Sequence, residues 1–142
     1  MVTAEELIDA LSATRRALRR SSGRPTELAG LTGAQLELVR LVRRHPGVSV
    51  AEAATALRVA PNTVSTLVRE LAARRVLVRR TDESDRRVAR LDLAPGVRRR
   101  VEAWRDRRGV AVDAALARLS KSERARLDAA LPALVALAEE LS

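Results

Sequence analysis

The apolar residues of the chain recur mainly at intervals of three and four, the spacing that places them on one face of an α-helix. In residues 60–75, Val64, Leu67, Val68 and Leu71 fall at i, i+3, i+4 and i+7. A second stripe near the C-terminus alternates steps of four and three, which is typical of a helix that packs on other helices. Both stripes predict a mainly α-helical chain. The second stripe consists of Leu127, Leu131, Leu134, Ala138 and Leu141.

Four places in the sequence carry the capping-box pattern, in which Ser or Thr is followed three residues later by Glu or Gln. The two side chains of a capping box satisfy free backbone amides at a helix N-terminus. We therefore expect helices to begin near residues 3, 32, 49 and 120, and Pro132 to kink the last one or remove a hydrogen bond. The four pairs are Thr3/Glu6, Thr32/Gln35, Ser49/Glu52 and Ser120/Glu123.

The pattern changes from helical to alternating after residue 75. A run rich in β-branched residues (76–78) and a polar segment (79–87) precede Ala89, Leu91 and Leu93, which alternate with polar residues as in a β-hairpin. Before it, a helix breaks at residues 58–60, and the next begins with Pro61 at its first position, where a missing N–H has no cost. Two short helices, a tight turn and a hairpin predict a winged helix-turn-helix, mainly α with a small β-hairpin wing.

The helix predicted from Pro61 carries an unusual set of residues opposite its apolar stripe. A merely solvated face would usually carry Glu and Lys, whereas this one carries short hydrogen-bonding side chains and an arginine. Short polar groups near a helix N-terminus suit close approach to phosphates and base edges. DNA contact is our interpretation, and an ordinary exposed face is the alternative. The candidate DNA-contacting residues of this helix are Pro61, Asn62, Thr63, Ser65, Thr66 and Arg69.

Charge favours a polyanionic partner. The formal net charge is +9 and the pI about 11.6, which suits nucleic acid or an anionic membrane surface. No apolar run reaches the ~18 residues of a membrane span, and the acidic N-terminus is unlike a signal peptide. We therefore expect a cytoplasmic protein with no membrane partner. A single lysine among many arginines indicates GC-rich, bacterial coding.

The sequence lacks the residues that most catalytic and metal sites need. With no cysteine, thiolate nucleophiles, disulfides and Cys-based zinc sites are excluded. His45 is the one histidine, too few for a multi-His metal site or a Ser-His-Asp triad. Metal-free carboxylate catalysis is possible but unsupported. We expect neither an enzyme nor a cofactor nor a metal site.

From residue 32 to residue 93 the sequence resembles the MarR family of bacterial transcriptional regulators. Its strongest motif is DESDRRVARLDL, residues 82–93, which is similar to the family's wing signature of Asp-x-Arg followed by a Leu-x-Leu strand. The flanking helices resemble the family's dimerisation arms. The resemblance implies an N-terminal dimerisation helix and loop (1–30), a winged helix-turn-helix DNA-binding region (31–94) and C-terminal dimerisation helices (95–142) in one intertwined unit.

By this resemblance the helix from Pro61 lies in the major groove of DNA, and Arg87 enters the neighbouring minor groove, held in position by Asp85. Arg86 is then a phosphate contact. A minor groove narrowed by A·T-rich sequence concentrates negative potential, which favours the weakly hydrated guanidinium. The alternative for Asp85 and Arg87 is a solvated turn with a local ion pair.

The resemblance also implies a homodimer that represses transcription from a pseudo-palindromic operator, with recognition helices about 34 Å apart. Small molecules often release proteins of this family from DNA. Because the chain lacks Phe and Tyr, Trp104 is the one aromatic wall for such an effector, and packing in the core or dimer seam is the alternative. The candidate dimerisation residues are Leu7, Leu11, Leu127, Leu131, Leu134 and Leu141.

Two other functions stay open on the sequence. An architectural protein would use the same wing and basic residues to grip duplex DNA of any sequence, whereas a regulator should prefer its operator by on the order of 10³ or more. A helical interaction module or enzyme would instead bind acidic partners without DNA. The arginine-rich segment 98–108 is either a second DNA surface or a solvated helix face.

Overall fold

A computed structural model describes residues 1–141. These residues form six α-helices, a short 3-10 turn at Thr26–Leu28 and three short strands. The predicted fold, mainly α with a small β wing, is confirmed. In chain order the elements are α1 Ala4–Ser22, α2 Gly33–Arg44, β1 Val48–Ser49, α3 Val50–Leu57, α4 Pro61–Ala73, β2 Leu77–Thr81, β3 Ala89–Leu93, α5 Pro95–Ala117 and α6 Lys121–Glu140.

All four predicted capping boxes are present at helix N-termini. At α1, the Thr3 amide donates to Glu6 Oε2 at 2.9 Å, and the Glu6 amide donates to Thr3 Oγ1 at 3.2 Å. The boxes at Thr32, Ser49 and Ser120 have the same reciprocal pattern. Local side-chain chemistry therefore determines where these helices begin.

The three strands form one antiparallel sheet in the order β1-β3-β2. Leu77 of β2 pairs with Leu93 of β3, which confirms the predicted hairpin. The sequence did not predict β1, whose Val48 pairs with Leu91. A strand of two residues has no periodicity to detect, and its pairing with β3 spans more than 40 residues.

The chain divides into two compact units, Gly23–Arg105 and Met1–Ser22 together with the chain from Asp106 onward. We call the first the head and the second the arm. The buried apolar residues of the described chain all lie in the head, between Leu28 and Val101. Side chains from α2, α3, α4 and the sheet meet there, among them Leu38, Val64, Leu71 and Leu91, which are fully buried. This core fixes the elements that carry the candidate site.

The turn between α3 and α4 has a left-handed residue, Arg58, with φ 55° and ψ 42°. It caps α3, and the Val59 amide then donates to the Ala54 carbonyl at 3.0 Å. Pro61 follows at the first turn of α4, as predicted. In the arm, α6 continues through Pro132, which supplies no N–H to the helix. None of the helices among residues 1–141 combines the length and apolar character that a bilayer crossing requires.

Candidate nucleic-acid interface

Helix α4 buries one face and exposes the other. Val64, Val68 and Leu71 lie in the head core, which fixes the rotation of the helix about its axis. The opposite face is exposed along its whole length, so its short polar groups are free to approach a macromolecule. The six candidate DNA-contacting residues of α4 are all exposed: Pro61, Asn62, Thr63, Ser65, Thr66 and Arg69.

The N-terminus of α4 differs from those of α2, α3 and α6. Its N-cap residue is Ala60, which makes no side-chain capping bond. The amides of its first turn therefore lack the side-chain acceptor that Thr32, Ser49 and Ser120 supply elsewhere. The Asn62 amide, which has no capping side chain to bond, and the positive end of the helix dipole favour an anion such as a phosphate.

At the wing tip, Asp85 holds Arg87. One carboxylate oxygen, Oδ1, accepts from the Arg87 amide at 3.0 Å and from its Nε at 3.1 Å, and Oδ2 accepts from Nη2 at 3.3 Å. These bonds lower the pKa of the Asp85 carboxyl, chiefly through the Arg87 side chain. The Arg87 side chain is nevertheless 91% exposed, so its guanidinium is oriented but unburied. Arg86 beside it is also exposed.

The wing turn itself is shaped by Asp82, which sequence reasoning did not single out. Its Oδ1 accepts from the amides of Ser84 at 2.8 Å and Asp85 at 2.9 Å. Hydrogen bonds from Ser84 and from Arg90 hold the pKa of the Asp82 carboxyl well below its usual range. The signal in the sequence was an Asp followed two residues later by Ser, a pattern that favours a local side-chain turn.

The candidate dimerisation residues lie in the arm. Leu7 and Leu134 are half-buried, and the other four are exposed: Leu11, Leu127, Leu131 and Leu141. No residue of 1–22 or 106–141 is buried. An open groove of about 390 Å³ within the arm is lined mainly by apolar side chains, including Leu18, Val112 and Leu119.

Trp104 belongs to the head. Its half-buried ring packs against the head core, and its Nε1 donates to the Gly23 carbonyl at 2.5 Å. The structure therefore gives this side chain a packing role, and its assignment to an effector site stays a prediction. Among residues 1–141 no group of His, Asp and Glu side chains is arranged to hold a metal ion.

Comparisons with known proteins point to one family. The sequence model described as the MarR family matches residues 29–88. A Pseudomonas aeruginosa protein of known structure, provisionally named a transcriptional regulator, is 30% identical over 95% of this chain and 92% of its own, with a TM-score of 0.68. The chain belongs to the MarR family. No curated protein matches it.

Two other solved structures match almost the whole chain. A MarR-like transcriptional regulator from Thermotoga maritima is 17% identical, with a TM-score of 0.81 and coverage of 98% of this chain and 99% of its own. FabT from Streptococcus pneumoniae, solved in complex with DNA, is 19% identical, with a TM-score of 0.74 and coverage of 99% and 100%. At these identities the likeness concerns the fold.

Membership of the MarR family makes the chain a winged-helix, DNA-binding transcriptional regulator and not an enzyme. The family match covers α2, β1, α3, α4 and β2 and ends at Val88, just before β3. It thus includes the polar face of α4 and the wing tip. The predicted family, fold and DNA-binding class are confirmed.

Proposed function

We propose that this MarR-family chain is a repressor that binds a pseudo-palindromic operator as a homodimer. The observation that carries the proposal is a head with two exposed features suited to DNA: a polar face on α4 and an arginine pair at the wing tip. Blocking a promoter needs nothing more than tight occupancy of the right site. We expect the protein to act in the bacterial cytoplasm, where promoters lie.

The proposed readout divides the contacts by groove. The exposed residues of α4, from Asn62 to Arg69, meet base edges in the major groove, where good contacts discriminate by about 1–3 kcal/mol each. Arg87 enters the adjacent minor groove with Asp85 holding it, and Arg86 meets a phosphate. The first-turn amide of Asn62 adds a sequence-independent anchor, since Ala60 provides no side-chain cap.

The proposed dimer is formed by segments 1–30 and 95–142, which flank the DNA-binding region 31–94. Exposed leucines at positions 11, 127, 131 and 141 and the apolar groove of the arm support it, because a lone chain leaves these surfaces in water. In an isologous contact, a second copy would cover these apolar surfaces with the same surfaces of its own.

We also propose that a small-molecule effector releases the operator, with Trp104 in contact with the ligand. Trp104 is the one aromatic residue in 142, so it is the chain's one stacking surface for an aromatic compound. Compounds that release the operator should also change Trp104 fluorescence. Release with unchanged fluorescence would place the effector elsewhere.

Selection of duplexes from random DNA tests the main proposal. Purified protein should enrich an inverted repeat whose half-sites lie about one helical turn apart, and placing that repeat over a promoter should reduce transcription in vitro. The Asn62→Ala variant, expected to fold because Asn62 is exposed, should lose preference at one position of each half-site. No enriched motif, with binding that merely follows salt, would indicate an architectural protein instead.

A further inference from the structure

A cluster of charged side chains lies where the wing tip meets the rest of the head. Its centre is Arg90 on β3, whose side chain is 35% exposed. Arg90 Nε donates to Asp82 Oδ2 at 2.8 Å, and Nη1 donates to Glu52 Oε2 at 3.3 Å and to the Gly47 carbonyl at 3.4 Å. One guanidinium therefore contacts the tip loop, the first turn of α3 and the loop before β1.

On the wing side of this cluster, Asp82 organises the tip loop. Its Oδ1 accepts from the Ser84 amide, from Ser84 Oγ at 2.6 Å and from the Asp85 amide. The Asp82 amide donates to the Val88 carbonyl at 2.9 Å, which closes the loop. Asp85 in turn holds Arg87. Because Asp82 orders Asp85 and Asp85 orders Arg87, a contact that fixes Asp82 also helps to orient Arg87.

On the other side, Glu52 belongs to the capping box of α3. Its Oε2 accepts from the Ser49 amide at 2.8 Å as well as from Arg90. Arg90 thus connects the tip loop to the helix that leads directly into α4. Arg90 lies 8 positions from Asp82 and 38 positions from Glu52 in the sequence, so the contact joins separate segments of the head.

We propose that Arg90 is a positioning residue for DNA binding, which holds the wing tip at a fixed place relative to α3 and α4 so that Arg87 meets the minor groove. The inference rests on the proposed role of Arg87. Two-stranded ribbons vary widely in twist, so a hairpin joined to the head by its ladder alone would have to be ordered on binding. A partly exposed ion pair contributes little to folding, so its effect should appear in binding.

The test is a double-mutant cycle: operator affinity is measured for Arg90→Lys in the parent protein and again in the Arg87→Ala background. Arg90→Lys keeps the charge but loses the fork that reaches Asp82 and Glu52 together. It should weaken binding to an operator with an A·T-rich wing site by about three- to tenfold, part of the loss expected for Arg87→Ala. In the Arg87→Ala background the same substitution should cost nothing further, because it acts through Arg87.

Two controls separate positioning from folding. Glu52→Gln retains a capping box at α3 but removes the charge that faces Arg90, and it should show the same dependence on Arg87 with a smaller loss. Arg75→Lys makes the same chemical change at an exposed residue after the end of α4 and should leave affinity unchanged. Amide exchange at Ser84 and Asp85 should be faster in Arg90→Lys than in the parent protein.

An unchanged affinity in Arg90→Lys, or an equal loss with and without Arg87, would overturn the positioning role. If Arg87→Ala itself binds the operator as well as the parent protein does, the proposed wing contact fails, independently of Arg90.

Discussion

Arg87 is exposed and yet oriented, because the Asp85 carboxylate accepts hydrogen bonds from its amide, its Nε and its Nη2. A guanidinium that is already ordered loses less entropy when it enters a groove. We expect Arg87→Ala to weaken operator binding by about 1–3 kcal/mol without loss of the dimer. Titration of an operator with an A·T-rich wing site, against one with G·C pairs there, measures it. Unchanged affinity would contradict our account of the wing.

Arg86 is the matched comparison, since the two arginines are adjacent, exposed and equal in charge. As a phosphate contact it should act without regard to sequence. Arg86→Ala should therefore weaken both operators alike and reduce the slope of log affinity against log salt by about 1. If Arg86→Ala instead lost the A·T preference, the two roles would be exchanged.

Arg75 has a left-handed backbone with φ 58°, as Arg58 has. A residue with Cβ in this region costs about 1–2 kcal/mol, whereas glycine adopts it without strain. Glycine also increases the entropy of the unfolded chain, which offsets part of this gain. We therefore expect Arg75→Gly to raise the free energy of unfolding by less than about 1 kcal/mol. Denaturant unfolding measures it. The converse change, Gly47→Ala at φ 82°, should destabilise the protein, and a gain there would refute the argument from backbone strain.

At the scale of elements, features that depend on a few neighbouring residues could be predicted from the sequence. Contacts between segments distant in the sequence could not. Capping boxes gave the starts of α2, α3 and α6, because each box lies within four consecutive residues. The polar face of α4 followed from its 3.6-residue period. By contrast, some contacts form only in the folded head and cannot be predicted from a local sequence pattern. They include the pairing of Val48 with Leu91 and the contacts of Arg90 with Glu52 and Asp82.

The capping boxes also predict how helix stability depends on pH. Hydrogen bonds from Thr3, Ser49 and Ser120 lower the pKa values of Glu6, Glu52 and Glu123. A carboxylate with a lower pKa in the folded state stabilises it above its unfolded pKa of about 4.3, and that contribution is lost as pH falls through the folded pKa.

The free energy of unfolding should therefore decrease as the pH drops below about 4. A variant of the capping box of α6 isolates the contribution of one glutamate. Glu123→Gln retains the capping pattern but does not titrate, so its stability should fall less steeply over this range. Denaturant unfolding between about pH 5 and pH 2 compares the two proteins. Parallel curves would mean that Glu123 does not contribute to the acid dependence.

At the scale of the whole molecule, burial is distributed unevenly. The head has its own core, whereas no described residue of the arm is buried. A helical unit with exposed leucines and no interior of its own is typical of an intertwined dimer seen as one chain. The stability of the arm should accordingly depend on protein concentration.

Leu131 provides the sharpest test of that dimer, because it is 61% exposed and its replacement therefore disturbs little packing within the chain. Leu131→Glu would place a charge in the proposed seam, where an unpaired buried charge is strongly unfavourable. We expect monomers in sedimentation, and a large loss of affinity for the inverted repeat, since two linked heads bind far more tightly than one. Ala129→Glu adds the same charge two positions away, on the opposite side of α6, and should leave the dimer intact. A stable Leu131→Glu dimer would place the seam on another face of the arm.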